Sequence, residues 1–135
     1  MRLLSISMET PLKFTGLVPA LETWSMNATL MFYTETLGFV IDGKMEKDGN
    51  VLWAMLHRDA VWIIFSTPKD VMGNERAQLT GNLYIYVNDI DLLWYYVKDR
   101  AEIVYPLEDF NYGMREFALR DNNGYMLSFG KPIAK

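Results

Sequence analysis

The chain has 135 residues, 50% hydrophobic and 14% aromatic, with 13 basic against 17 acidic residues for a net charge of -4. That length suits one domain, 1–135, and the surplus of Trp, Tyr and Met implies a lined cavity or an interface as well as a core. The charge argues against a nucleic-acid partner, the lack of cysteine excludes disulfides, a thiol nucleophile and Cys-ligated zinc, and no apolar run nears the roughly 20 residues of a membrane span.

Residues 1–7 carry no signal-peptide pattern, so a cytoplasmic location is the expectation. From 13 to 22 the chain reads as extended. Residues 26–37 place Met26, Leu30, Tyr33 and Leu37 at helical spacing, with Ser25 or Asn27 as cap and Gly38 as stop. Strands are expected at 39–45, 51–57 and 60–66, the last two joined at Arg58-Asp59. Glu46-Lys47-Asp48 with Gly49-Asn50 reads as a solvated turn, and His57 as a surface or turn histidine. Segment 67–81 carries Pro68, Gly73, Asn74 and Gly81 and reads as a loop.

The second half repeats this order. A strand at 82–87 leads to a helix at 89–98, capped by Asn88 or Asp89, with Leu92, Leu93, Tyr96 and Val97 as its apolar side. A strand follows at 101–107, then a hairpin of 114–120 and 125–130 across Asp121-Asn122-Asn123-Gly124. The pattern is βαβββ twice: module one at about 13–66, a linker at about 67–81 and module two at about 82–130. One such unit cannot bury both faces of its sheet. The expected class is α+β, with paired modules forming a curved mixed sheet, a concave cavity inside and helices outside.

Strand parity sorts the side chains. If Asn82 faces the cavity, so do Tyr84 and Tyr86, while Leu83, Ile85 and Val87 face the helices. The tyrosines then meet a planar polar ligand, close a dimer seam or fill the cavity. Phe117 and Leu119 belong to the helix side, leaving Met114, Glu116 and Ala118 inward. Glu116 meets a cationic ligand group or, more commonly for a lone glutamate, pairs with an arginine such as Arg115 or Arg120 from a neighbouring chain or strand. Phe110 and Tyr112 form an aromatic pair in a loop, suited to an interface or lid. Counting from Arg58-Asp59 favours Ile63 and Phe65 inward, and a slip of one residue reverses that, so the facing of Trp53, Trp62 and Phe65 stays open. Trp24 and Trp94 are expected to pack at helices. No Gly-rich phosphate loop is present, no Ser-His-Asp set can be built on the single His57, and no close carboxylate pair stands out.

Two motifs carry a family resemblance. Phe32-Tyr33-Thr34-Glu35-Thr36-Leu37-Gly38-Phe39 and Gly113-Met114-Arg115-Glu116-Phe117-Ala118-Leu119-Arg120-Asp121, followed by Gly124, are similar to those of the vicinal-oxygen-chelate superfamily. That superfamily includes glyoxalase I, extradiol dioxygenases, fosfomycin-resistance enzymes and bleomycin-resistance proteins. The aromatic Tyr112 before Gly113, and Val18-Pro19-Ala20-Leu21, resemble the bleomycin-resistance branch. The likeness runs from about Leu17 to Phe129.

The resemblance implies metal ligands at four strand positions, which fall here on Val18, Ile63 or Ile64, Asn82 and Ser128. Aliphatic, amide and hydroxyl side chains are poor ligands for a divalent ion, so the expectation is no metal, no cofactor and binding rather than turnover. It also implies a homodimer with the ligand in a groove between chains, and residues 1–12 as an arm that could be exchanged. The expected function is metal-free, bleomycin-resistance-type sequestration of a cationic aromatic antibiotic. The expected ligand-binding residues are Trp53, Phe65, Asn82, Tyr84, Tyr86, Phe110, Tyr112, Met114, Glu116 and Ser128. The alternatives are a glyoxalase- or dioxygenase-like metalloenzyme with a displaced metal site, and a partner protein that uses the cavity face as an interface.

Overall fold

A computed structural model describes residues 11–68 and 78–134. The expected N-terminal arm therefore lies almost wholly outside the described residues, as does most of the expected linker. Ten elements alternate in two similar runs. The first holds β1 (Ala20–Glu22), α1 (Met26–Met31, continued by a π turn at Phe32–Thr36), β2 (Val40–Lys47), β3 (Asn50–Arg58) and β4 (Val61–Ser66). The second holds β5 (Asn82–Tyr86), α2 (Ile90–Val97), β6 (Glu102–Asp109), β7 (Met114–Arg120) and β8 (Met126–Pro132).

Each run makes one four-stranded mixed sheet. The orders are β1-β4-β3-β2 and β5-β8-β7-β6, with the first pair parallel and the others antiparallel. The class is the α+β βαβββ fold expected, its surface carried by two sheets. The elements start and stop where local chemistry demands. Asp89 caps α2 by accepting from the Leu92 amide. Ser25 precedes α1 without a side-chain cap. After the π turn the chain reverses at Gly38, whose φ is +72° and where a Cβ would lie 2.8 Å from the Arg58 guanidinium. Arg58 donates to the Leu37 carbonyl at 2.7 Å, so glycine is required for both reasons. Asp48 and Gly49, both at positive φ, turn β2 into β3, so Glu46 and Lys47 belong to the strand rather than to the turn.

The core joins one face of each sheet to the helices. Tyr33, Leu37, Leu56, Phe65, Ile90, Val97, Phe117, Leu119 and Phe129 belong to one buried cluster. The expected apolar side of α2 is corrected: Ile90 and Val97 are buried, Leu93 and Trp94 pack against the core, and Leu92 and Tyr96 are exposed. Trp94 meets the Phe117 ring at 5.1 Å, and Trp24 is half exposed.

A polar network ties the two runs together. Tyr33 donates to Asp121 at 2.7 Å, the hydroxyls of Thr23 and Thr29 meet each other and Asn123, and Tyr125 donates to the Glu22 carbonyl. Asp121 also accepts from the amides of Asn123 and Tyr125, both at 2.8 Å. The turn 121–124 is thus both a hairpin loop and the clasp of the junction. Among the described residues, no helix is long and apolar enough to cross a membrane.

Candidate functional site

Alternation in the second sheet leaves a chemically distinct outer face. Leu83, Ile85 and Val87 pack into the core, so Asn82, Tyr84 and Tyr86 lie on the other side of β5. Phe117 and Leu119 are buried, which puts Glu116 and Ala118 on that same face. Ser128 pairs with both Tyr84 and Ala118, and Tyr105 of β6 pairs with Ala118.

Glu116 is the centre of this face and is only 3% exposed. The Tyr84 hydroxyl donates to its Oε1 at 2.8 Å and the Tyr105 hydroxyl to its Oε2. The hydroxyls of Tyr105 and Ser128 are 3.4 Å apart, and the Asn82 amide donates to Ser128 Oγ. Rings extend outward from this network. Tyr86 lies 5.4 Å from Tyr84, Phe110 meets Tyr105 edge-on, and Tyr112 stacks on Phe110 at 5.5 Å. Tyr86 is 71% and Tyr112 60% exposed, so the wall is open to solvent in one chain.

Within the chain, the expected arginine pairing of Glu116 is not made. Arg115 is held by Asp91 and Asp109, and Arg120 by Glu102. Among the described residues, Glu116 has tyrosine hydroxyls as partners and no basic side chain. Burial pushes its pKa up, but the hydroxyls of Tyr105, Tyr84 and Tyr112 more than offset this and hold it below the usual carboxylate value. Loss of hydration and the adjacent carboxylate push the tyrosines the other way. Tyr84 and Tyr105 are raised, and Tyr112 is pushed up to about 12. The face therefore carries one fixed negative charge beneath neutral phenols.

Sequence reasoning missed two members. Tyr105 follows a register shift between Ile103 and Tyr105, which breaks the parity count along β6. Gly130 lies opposite Glu116 on β8, and a Cβ there would overlap the Tyr84 hydroxyl. Tyr84 reaches Glu116 by crossing a strand that has no side chain at that point. A glycine inside a strand is the signal that could have found it.

The remaining expected site residues lie elsewhere. Phe65 is fully buried and its ring is 4.9 Å from that of Tyr33, so the inward facing of Ile63 and Phe65 is reversed. Trp53, Met55 and His57 of β3 share the outer face of the first sheet with Trp62 and Ile64 of β4, because Ala54, Leu56, Ile63 and Phe65 take the core side. His57 is therefore a strand residue on a sheet face, stacked on Trp62 with centroids 4.4 Å apart. Met114 begins β7, half-buried beside Pro132.

The donor set does not fit a divalent metal. Ile64 occupies in the first sheet the place of Ser128 in the second: each lies two residues before the carbonyl that accepts from the residue just after its sheet's parallel strand, Ser66 from Thr23 and Gly130 from Val87. Val18 and Ile64 offer no donor atom, and Asn82 and Ser128 are neutral and bonded to each other. No three His, Cys, Asp or Glu converge among the described residues. A cavity of about 840 Å³ lies between the two runs, lined by Leu37, Phe39, Ile85, Leu92, Tyr96 and Phe129 among others, and away from Glu116.

This fold and face define a vicinal-oxygen-chelate domain. A family model described as the Glyoxalase/Bleomycin resistance protein/Dioxygenase superfamily matches residues 20–129, and the chain belongs to that superfamily. No curated protein sequence matches. Among solved structures it is similar to TioX from Micromonospora sp. ML1, with 19% identity over 89% of this chain and 100% of that one and a TM-score of 0.72. It is also similar to TnmS3, an antibiotic binding protein from Streptomyces sp. CB03234, with 15% identity, 89% and 98% coverage and a TM-score of 0.65. A lactoylglutathione lyase from Agrobacterium tumefaciens has the same fold, with 14% identity, 88% and 95% coverage and a TM-score of 0.64.

Proposed function

We propose that this protein binds and sequesters a cationic, planar small molecule in a groove built by two chains, without consuming it. The observation that carries the reading is Glu116: a buried carboxylate kept charged by phenol hydroxyls, with no basic partner among the described residues. A charge held in this way favours an arriving cation. The open rings of Tyr84, Tyr86, Phe110 and Tyr112 provide stacking and cation–π surface around it. The net charge of -4 aids approach of such a ligand. The likeness to an antibiotic binding protein, and membership of a superfamily that takes in bleomycin-resistance proteins, support a drug-like ligand.

The dimer is supported by what one chain leaves open. Val40, Ile41, Met45, Tyr86, Val104 and Tyr112 are exposed, most of them on strands. Light scattering at micromolar concentration should give twice the chain mass, and a monomer across that range removes the shared groove. Calorimetric titration with bleomycin-family drugs and other cationic aromatics tests the function directly. The expected result is saturable binding, recovery of the ligand unchanged, and no stoichiometric Ni, Zn, Fe or Mn by elemental analysis. Turnover of the ligand, or a bound stoichiometric metal, would sink the reading.

A further inference from the structure

Hydrogen-bond bookkeeping around Glu116 narrows the chemistry of the cation. The hydroxyl hydrogens of Tyr84 and Tyr105 are both spent on the Glu116 carboxylate. An Asn82 amide hydrogen is spent on Ser128, and the Ser128 hydroxyl is placed to donate onward to Tyr105. These hydrogens are committed inside the network, and they run toward one carboxylate. What these phenols keep for a ligand is acceptor capacity: the lone pairs of the Tyr84 oxygen, and the one on the Tyr105 oxygen that Ser128 does not take. A hydroxyl that donates to a carboxylate becomes a better acceptor, so both oxygens are strengthened for that role. Tyr84 is 39% exposed and Glu116 3%, so an incoming group meets the Tyr84 side chain before it meets the carboxylate.

We infer that this face selects a cation rich in N–H donors, an amidinium, guanidinium or primary ammonium, over a quaternary ammonium of equal charge. The inference rests on the reading of this face as a cation site and adds what kind of cation it takes. A quaternary ammonium satisfies the charge and the rings and leaves the phenol lone pairs unused. A neutral amide brings donors without charge and forfeits the attraction of the carboxylate. An amidinium matches both, with charge-assisted hydrogen bonds to oxygens already polarised.

Three probes with the same phenyl body separate these terms: benzamidine, phenyltrimethylammonium and benzamide, titrated against the full-length protein by calorimetry. Benzamidine should bind about tenfold or more tightly than either of the others, the scale of one well-made charge-assisted hydrogen bond. Glu116→Gln should remove that preference, and Tyr105→Phe should reduce it while keeping some. Both variants are checked first for a cooperative unfolding transition. Equal binding of benzamidine and phenyltrimethylammonium would overturn the inference and leave the cation reading standing. Benzamide binding as tightly as benzamidine would overturn both. Should none of the three bind at millimolar concentration, or should Glu116→Gln keep the full preference while folded, the assignment to this face is wrong.

Discussion

The two sheet faces share one topology and carry opposite chemistry. The Thr23 amide donates to the Ser66 carbonyl, and the Val87 amide donates to the Gly130 carbonyl, so Ser66 and Gly130 occupy the same place in their sheets. From that anchor the registers align residue by residue. Trp53 stands where Glu116 stands, Ile64 where Ser128 stands, and Ala20 where Tyr84 stands. The core positions do not diverge in this way: Phe65 and Phe129 correspond, as do Ile63 and Leu127, and all four are buried. One face is therefore an aromatic and aliphatic shelf of Trp53, Met55 and Trp62. The other is a charged, tyrosine-rich wall. Core positions answer to packing alone, so duplication keeps them alike. Outer positions answer to whatever the face meets, and there the two sheets differ.

The largest break in this comparison should come from Gly130→Ala. The new methyl group would overlap the Tyr84 hydroxyl, and Tyr84 would have to leave Glu116. We expect a loss of about 1–3 kcal/mol in urea denaturation, the usual scale of overpacking, and loss of ligand binding. Ser66→Ala at the corresponding place should stay within about 0.5 kcal/mol, because no ring crosses β4 there. Similar costs at both positions would show that the two faces are not built differently.

Acid titration should separate the wall from the junction. The folded-state pKa of Glu116 is depressed, so its contribution is present above its unfolded value of about 4.3 and is lost as pH falls through the folded value. The stability gap between the parent and Glu116→Gln should therefore hold from pH 7 down to about pH 4.3 and shrink as pH falls further. Asp121 behaves in the opposite sense. Burial raises its pKa despite the hydrogen bonds from Tyr33 and the Tyr125 and Asn123 amides. Its charge costs stability above that value, and the parent should gain on Asp121→Asn as pH falls. Denaturation of both variants at two pH values reads the two slopes, and slopes of the same sign would contradict one of these environments.

Much of this was legible in the residues. The repeated βαβββ order follows from helical spacing, turn residues and alternation, all of which are local. The alternation Asn82-Leu83-Tyr84-Ile85-Tyr86 was enough to place the tyrosines away from the core, because β5 is regular. Where strands are irregular, parity failed. β6 carries two register shifts, and Tyr105 went unrecognised. Phe65 was misplaced because the β3–β4 turn is at Asp59-Ala60, one residue later than expected. The partners of Glu116 within its own chain escape the sequence for a different reason. Sequence statistics favour an arginine, but which of Arg115, Arg120 and the tyrosines lies close is a tertiary fact.

The smallest expected effect concerns the loop between β6 and β7. The equivalent loop in the first sheet is the turn Asp48-Gly49, which carries no ring, whereas this one carries Phe110 and Tyr112 in a stack. Tyr112 is mostly exposed, so Tyr112→Ala should leave the denaturation midpoint nearly unchanged. In ligand titration it should cost about 1 kcal/mol, a several-fold weakening, through loss of a stacking surface. Stacking is not a charge interaction, so that loss should be the same at low and high salt. The burial of Glu116 alters what the sequence alone suggests for its own variant. An exposed carboxylate would act by screened attraction and matter chiefly at low salt, but one that is 3% exposed is shielded from counter-ions. Glu116→Gln should therefore weaken binding at both salt concentrations too, and by more than Tyr112→Ala. If salt erases the Glu116 effect, the ligand's cation stays at the rim of the wall. If Tyr112→Ala binds like the parent, the ligand's planar part lies against another surface, and the shelf of Trp53 and Trp62 is the next to vary.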